Sequence, residues 1–504
     1  MMLVGTGSDV GKSVLATAFC RIFLQDGYKP APFKAQNMSL NSYATPDGLE
    51  IGRAQAVQAE AASIPCEAEM NPVLLKPQGD LTSQVVLLGR PVGNMSAREY
   101  FRNEGREQLR REVCNAFDRL AARFNPIVLE GAGSISELNL RDRDIVNMPM
   151  ARHAGADVFL VGDIDRGGVF ASVYGSLMLL PEEERSMVKG IIINKFRGDR
   201  SLFDDGVRMM EKLCHVPVVG VVPYYQDITI EEEDSVQLKN KQRSALSKAD
   251  KNVCNVAVVL LRHMSNFTDF DALEQRAGVH LYYASSPSDL EQADIVIVPG
   301  SKTTINDLEQ LRRERMDAAI VKAYERGATV LGICGGYQML GTEILDPLHL
   351  EGCRERMSGI GLLPVSTTIT DTKTTRQVRF RLADMPETDT PWLQGYEIHM
   401  GHTVPLSGHA ERPLCHFADG TSDGYQVNRR LMGTYVHGIL DNSLFANQLL
   451  SSCQATHEYP TDVRNHQGTD YQTFKQQQYD RLAAHVRASV DMEKIYDILK
   501  INFR

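Results

Sequence analysis

Paired cysteines are missing from this chain. Its nine cysteines stand singly, with no CxxC step and no metal-ligand rhythm, which argues against a zinc ribbon or a redox pair and fits reduced thiols in a reducing compartment. Long hydrophobic runs are missing as well: no uninterrupted apolar stretch approaches the roughly 18–20 residues that span a bilayer. No leader-like segment precedes the first strand, so the expected location is the cytoplasm, with no membrane association. A basic surplus is also absent. The formal net charge of −10 argues against a nucleic-acid binder, whose footprint is a positive surface. No internal repeat of about 20 to 50 residues is apparent.

What is present is an ordinary globular composition, 43% hydrophobic and 23% charged over 504 residues. That length exceeds one hydrophobic core and predicts about three units, or two large ones. Up to about residue 225, short β-branched runs alternate with helical patterns, the rhythm of βαβ units on a parallel sheet. Residues 127–129, 158–161 and 191–193 are apolar throughout, as strands covered on both faces are, and 96–124 reads as solvent-facing helix. The acidic and polar stretch 231–251 reads as a linker. A second α/β series follows, with buried strands expected at 253–261, Ile295–Val298 and 329–332. The tail from about residue 456 is polar and Gln-rich, then helical, ending in Met492–Leu499.

Two segments carry chemistry. Residues 2–13, MLVGTGSDVGKS, form a strand, a glycine-rich turn and a helix start. In such a loop Gly7, Asp9, Val10 and Gly11 supply backbone N–H groups for phosphate, Lys12 pairs with it, and the Ser13 hydroxyl ligates Mg²⁺. The spacing departs from the strict phosphate-loop pattern, with five residues instead of four between Gly5 and Gly11. Glu130, Asp163 and Asp165 fall at C-terminal ends of expected parallel strands, where α/β sheets hold ligands, and are candidates for Mg²⁺ or the acceptor. Asn194, after another strand, is expected against adenine, with a plain turn residue as the equal alternative.

The second segment is TVLGICGGYQMLG at 329–341, which puts Cys334 on a sharp strand-to-helix turn. The bend lifts the sulfur above the sheet, aims the helix dipole at it, and offers the Gly335 N–H to an oxyanion. Gly300 and Ser301 in VPGSK are the expected second donors. A nucleophilic cysteine needs a base; His437 in MGTYVHG is the choice, with His399 and His402 as rivals.

With these, the ordered segments APFKAQNMSLNS (31–42), EIGRAQAVQAE (50–60), MNPVLLKP (70–77), GRPVGNM (89–95) and EGAGS (130–134) resemble the cobyric acid synthase family of glutamine-dependent amidotransferases, over nearly the whole chain. The resemblance implies an α/β chain with an N-terminal P-loop parallel-sheet domain of dethiobiotin-synthetase type and a C-terminal class I glutamine amidotransferase-like domain. Its implied boundaries are 1–230 for the ATP-binding amidoligase, 231–251 for the linker, 252–446 for the glutaminase and 447–504 for a helical tail. ATP and Mg²⁺ (Ser13, Glu130) are implied, with Cys334 as nucleophile, His437 as base, and Gln338 beside Gly300, Ser301 and Gly335 for glutamine and the oxyanion. The implied partners are glutamine and a corrinoid polycarboxylate, and a homo-oligomer is compatible with this reading. Asn37, Ser39 and Asn41 lie in a polar run near the expected corrin mouth. Many class I glutaminases carry Glu two residues after the histidine, and here that residue is Ile439; Glu397 is the candidate for orienting the imidazole instead. The rivals are an enzyme amidating the a and c carboxylates of cobyrinic acid and an ATP-dependent positioning switch.

Overall fold

The computed structural model describes residues 1–78, 82–96, 103–225, 227–231, 253–351, 354–386, 391–451 and 470–501. In the first half, β-branched runs form a six-stranded parallel sheet in the spatial order Val218–Pro223, Val188–Phe196, Val158–Asp163, Met2–Gly5, Ile127–Glu130, Ala31–Phe33. The strand feeding the glycine loop is thus central, flanked by the strands that end in Glu130 and Asp163. The expected strands are present and run one to three residues longer at their ends, while the helix expected over 96–124 is described from Asn103 to Ala121. A smaller four-stranded sheet and the hairpin Ser42–Ala44/Glu50–Gly52 extend this half toward the other.

The second half has its own sheet in the order Val279–Ala284, Cys254–Val259, Ile295–Val298, Thr329–Ile333, Leu431–Thr434, Tyr425–Asn428, parallel except for the last pair. A long antiparallel pair, Val365–Leu382 with Leu393–Pro405, belongs to a second sheet and reaches over the end of the first. The helix Ser443–Ser451 crosses the boundary expected at residue 446, because Phe445, Ala446, Leu449 and Leu450 all face the core of this half.

The polar linker expected at 231–251 lies outside the described residues apart from Glu231, as does the Gln-rich stretch to residue 469. The tail after it returns to the first half. Its helices Tyr471–Arg487 and Met492–Leu499 bury Tyr479, Leu482, Val486, Ile495 and Tyr496 against Phe19 and Phe23 of the helix Lys12–Gln25. Lys475 pairs with Glu60 at 2.7 Å and Arg487 with Asp26 at 2.9 Å. Among the described residues no helix is long and apolar enough to cross a membrane.

Candidate active sites

At the end of the central strand the chain must turn back into a helix within a few residues. Asp9 and Gly11 adopt left-handed conformations, φ 57° and 94°. Gly11 has a second constraint: a Cβ there would lie 2.2 Å from Asn194 Nδ2. That amide donates to the Val10 carbonyl at 2.8 Å and is buried. Asn194 therefore braces the loop through one N–H, and its second N–H and its oxygen are the groups left for an adenine contact. The Lys12 ammonium donates to the carbonyls of Gly7 (2.9 Å) and Gly133 (3.0 Å), spanning the mouth of the loop.

Ser13 Oγ donates to Glu130 Oε1 at 2.7 Å, which leaves the hydroxyl lone pairs available to a cation. The same Oε1 takes Lys34 Nζ at 2.8 Å, and Oε2 takes Gln58 Nε2 at 2.6 Å. Burial alone would raise the Glu130 pKa, but Lys34 and the hydrogen bonds outweigh it and hold the carboxyl below its ordinary value. Ser13 thus fits a Mg²⁺ ligand, and Glu130 fits the role of holding Ser13. Among the described residues no group of three or more His, Cys, Asp or Glu side chains could hold a metal. Asp163 is engaged by Lys195 at 3.0 Å and Asp165 by Arg197 at 2.7 Å, so both carboxylates are tied to cations on the neighbouring strand end.

In the second half, Cys334 sits between the strand Thr329–Ile333 and the helix Gly335–Leu340 at φ 51°, ψ −111°, a conformation that a side chain rarely adopts. The turn is closed by packing: a Cβ on Gly336 would lie 1.8 Å from the Val298 carbonyl oxygen. The backbones of Gly335 and Ser301 converge, since a Cβ on Gly335 would be 2.7 Å from Ser301 N. Gln338 is buried, accepting from Thr304 Oγ1 at 3.1 Å and donating to Tyr435 OH at 3.1 Å.

His437 is 1% exposed, and its Nδ1 meets Asp269 Oδ2 at 2.7 Å, while Gly438 N donates to Asp269 Oδ1 at 3.0 Å. With Nδ1 so committed, the other ring nitrogen is left for Cys334, whose sulfur acts on the imidazole and lies 3.6 Å from the Ile398 carbonyl oxygen. Burial would push the imidazole down, but the Asp269 carboxylate and then the Cys334 sulfur outweigh it, and His437 is pushed up to about 10. The structure corrects the choice of orienting group. Tyr396 takes the side of its strand that stacks on His437, ring centres 5.2 Å apart, so the adjacent Glu397 points to the opposite face. There it binds Arg376 and lies 3.6 Å from His399. His399 lines the Cys334 pocket but gives Nδ1 to the Gly401 carbonyl at 2.9 Å and stacks on Tyr435. His402 lies further along the same strand, opposite Thr368.

Both halves line the pocket around Cys334. Besides Gly335, Ser301 and Gln338 it contains Lys302, Glu351, Lys373 and, from the first half, Lys76. Lys76 and Lys373 grip opposite oxygens of the fully buried Glu50, the former at 2.7 Å. Sequence reasoning missed this cluster and Asp269. Of this cluster, Lys302 directly follows the VPGS turn, and Glu50 and Lys76 fall inside the segments 50–60 and 70–77 that carry the family resemblance; Glu351 and Lys373 have no sequence signal. Burial, with Lys373 and Lys76 nearby, pushes the Lys302 ammonium down to about 7. Burial also pushes the Glu351 carboxyl up to about 7, against the pull of Lys302 and backbone N–H groups.

Residues 1–237 match the CobQ/CobB/MinD/ParA nucleotide binding domain and residues 255–445 the CobB/CobQ-like glutamine amidotransferase domain. A cobyric acid synthase of Bacteroides fragilis is 63% identical over 502 residues, covering 100% of this chain and 98% of that protein. The chain belongs to the cobyric acid synthase family. Other members include those of Phocaeicola vulgatus, 59% identical, and Parabacteroides distasonis, 54% identical, which match 100% and 99% of this chain and 98% of their own length. The phosphate loop lies in the part matching the nucleotide-binding domain, and Cys334, His437 and Asp269 all lie in the part matching the amidotransferase domain of this family.

Proposed function

We propose that the protein amidates the b, d, e and g carboxylates of adenosylcobyrinic acid a,c-diamide, using ATP and glutamine, to give adenosylcobyric acid in cobalamin biosynthesis. The observation that carries this reading is the Cys334–His437–Asp269 array in one chain with the Lys12–Ser13–Glu130 loop, within a family of that activity.

A carboxylate is a poor electrophile. Transfer of the γ-phosphoryl group of ATP to one of its oxygens gives an acyl phosphate and ADP, with Lys12 and the loop N–H groups placed to hold the charge of the transferring group. Mg²⁺ at Ser13 would supply charge neutralisation on the phosphates, and Glu130 orients Ser13 for it. Ammonia attacks the acyl carbon, phosphate leaves, and the amide remains.

In the other half the Cys334 sulfur attacks the side-chain carbonyl carbon of glutamine, and the oxyanion faces the backbone of Gly335 and Ser301. His437, which holds its proton to about pH 10, gives it to the departing nitrogen. Neutral His437 then takes a proton from water, which cleaves the thioester and frees glutamate. Lys302 and Glu351 bear the opposite charges of the amino-acid head group, the ammonium for its α-carboxylate and the carboxylate for its α-ammonium. Lys76 of the first half lines the Cys334 pocket, so the site of ammonia release abuts the nucleotide half, as transfer of ammonia inside the protein requires.

The test is turnover of the corrinoid a,c-diamide with ATP, Mg²⁺ and glutamine, followed by mass spectrometry through four successive amidations. Turnover of cobyrinic acid in its place would reassign the acceptor, and ATP hydrolysis with no glutamine consumed would leave a nucleotide switch.

A further inference from the structure

The short turn Phe267–Phe270, which carries Asp269, is not capped by its own half. Its first residue follows Asn266, held in the left-handed region at φ 52°, ψ 46°, whose side chain makes no capping bond to the turn. Asn266 Oδ1 instead accepts from Ser42 N of the nucleotide half at 3.0 Å. In return the Phe267 N–H, a donor that the turn leaves unserved, is accepted by Asn41 Oδ1 at 3.0 Å. All these contacts are buried. The next residue of the nucleotide half continues the link: the Tyr43 ring meets Tyr396 edge-on with centres 4.6 Å apart, and Tyr396 stacks on His437. Asn266 Nδ2 reaches the Tyr396 hydroxyl at 3.4 Å, tying the two supports together.

We propose that Asn41, Ser42 and Tyr43 are positioning residues for glutamine hydrolysis: the nucleotide half caps the turn that aims Asp269 and braces the ring that covers His437. The inference rests on the reading of Cys334 and His437 as the glutaminase pair. None of the three residues lines the Cys334 pocket; they act through Asp269 and Tyr396. A half-domain excised from this contact has an uncapped Phe267 N–H and an unbraced Tyr396, so hydrolysis depends on docking of the two halves.

The test uses the full chain with Asn266→Gly, since glycine adopts φ 52° without strain and removes only the amide. The kcat for glutamine hydrolysis is expected to fall about ten- to hundredfold, as for a catalytic group displaced by a fraction of an ångström, while amidation from ammonium salts is unchanged. The alkaline limb of kcat at saturating glutamine, which the Asp269 carboxylate is expected to hold above the ordinary imidazole range in the parent, should move toward that range. The groups about His437 are Asp269 on the turn, Cys334 at the elbow and Tyr396 on the strand, with Asp441 acting on Asp269 and Tyr396; the first of these is the one the variant disturbs. Tyr43→Leu, made from the other side of the contact, should reproduce the split between nitrogen sources. Parent-like hydrolysis with an unmoved limb in Asn266→Gly overturns the proposal, and so does equal loss with both nitrogen sources, which would assign only a structural role. Cys334→Ala separates the two levels: if it still hydrolyses glutamine, the glutaminase reading fails; if it is inactive while Asn266→Gly is parent-like, only the positioning role does.

Discussion

Asp269 meets the Nδ1 of His437 at 2.7 Å although the two residues are 168 positions apart. The carboxylate fixes the ring, stabilises its charged form and leaves the second nitrogen for the Cys334 sulfur. Asp269→Asn keeps the size of the side chain but removes the charge and inverts the tautomer preference, so glutamine hydrolysis is expected to fall by about 10³-fold or more. The alkaline limb of its kcat should fall toward the ordinary imidazole value, because the carboxylate that raises the His437 pKa is gone. The linked stability effect has a definite sign. A raised pKa stabilises the fold fully below the unfolded value of about 6.5 and loses that contribution as pH rises toward the folded one. The parent should therefore lose stability relative to Asp269→Asn between those limits, as read from thermal melts across pH.

Separate sites for nitrogen release and carboxylate activation predict a split by nitrogen source. Cys334→Ala should abolish amidation from glutamine and retain it from ammonium salts. Lys12→Ala should stop amidation from either source if the ammonium that spans Gly7 and Gly133 serves, as proposed, the phosphoryl transfer that both require. Steady-state assays with each donor check the pair; ammonium rescue of Lys12→Ala, or none for Cys334→Ala, contradicts the division.

Much of this arrangement is legible in the sequence, and the reason is local. The phosphate loop and the Cys334 elbow are each built within a dozen residues, where glycine placement and strand-to-helix succession express the backbone directly. His437 was legible from its place at the end of a strand-like run. Asp269 was not, because a short polar turn has no periodicity and its partner is remote in sequence. Glu397 looked suitable only until strand alternation assigned Tyr396, and not its neighbour, to the His437 face. The linkage of Lys76, Glu50 and Lys373 joins three strands from two halves, and only docking brings them together. The helix Met492–Leu499 was legible in the tail, but not where it docks, because its buried face is completed by Phe19 and Phe23 of the opening helix.

Lys302 and Glu351 line the Cys334 pocket with pKa values both displaced to about 7. Glutamine needs the first protonated and the second ionised, so kcat/KM for hydrolysis should be bell-shaped around neutrality, its acid limb from Glu351 and its alkaline limb from Lys302. Glu351→Gln should remove the acid limb and Lys302→Met the alkaline one, each raising KM for glutamine about tenfold or more with less change in kcat. Glutaric acid monoamide, which lacks the α-ammonium, distinguishes this from a general disturbance. Glu351→Gln should lose the parent's preference for glutamine over that analogue, and an undiminished preference would remove Glu351 from head-group recognition.

Glu50 is the shared counter-ion of two lysines from different halves, and its pKa lies far below the ordinary carboxylate value because Lys373 and Lys76 outweigh the burial that opposes ionisation. Glu50→Gln preserves shape but leaves Lys76 and Lys373 buried without a neutralising charge, at a cost of about 3–5 kcal/mol. A lowered pKa stabilises the fold at pH values above the unfolded carboxyl, about 4.3, and that contribution is lost as pH falls toward the folded value. The deficit of Glu50→Gln should therefore be largest at neutral pH and shrink in acid, measured as the difference in urea midpoint between parent and variant. Lys373 also acts on Cys334, so the same variant should weaken glutamine hydrolysis while the phosphate loop, which Glu50 does not touch, keeps its nucleotide affinity. Equal midpoints at pH 7 would mean that water, and not Glu50, neutralises the lysine pair where the two halves meet.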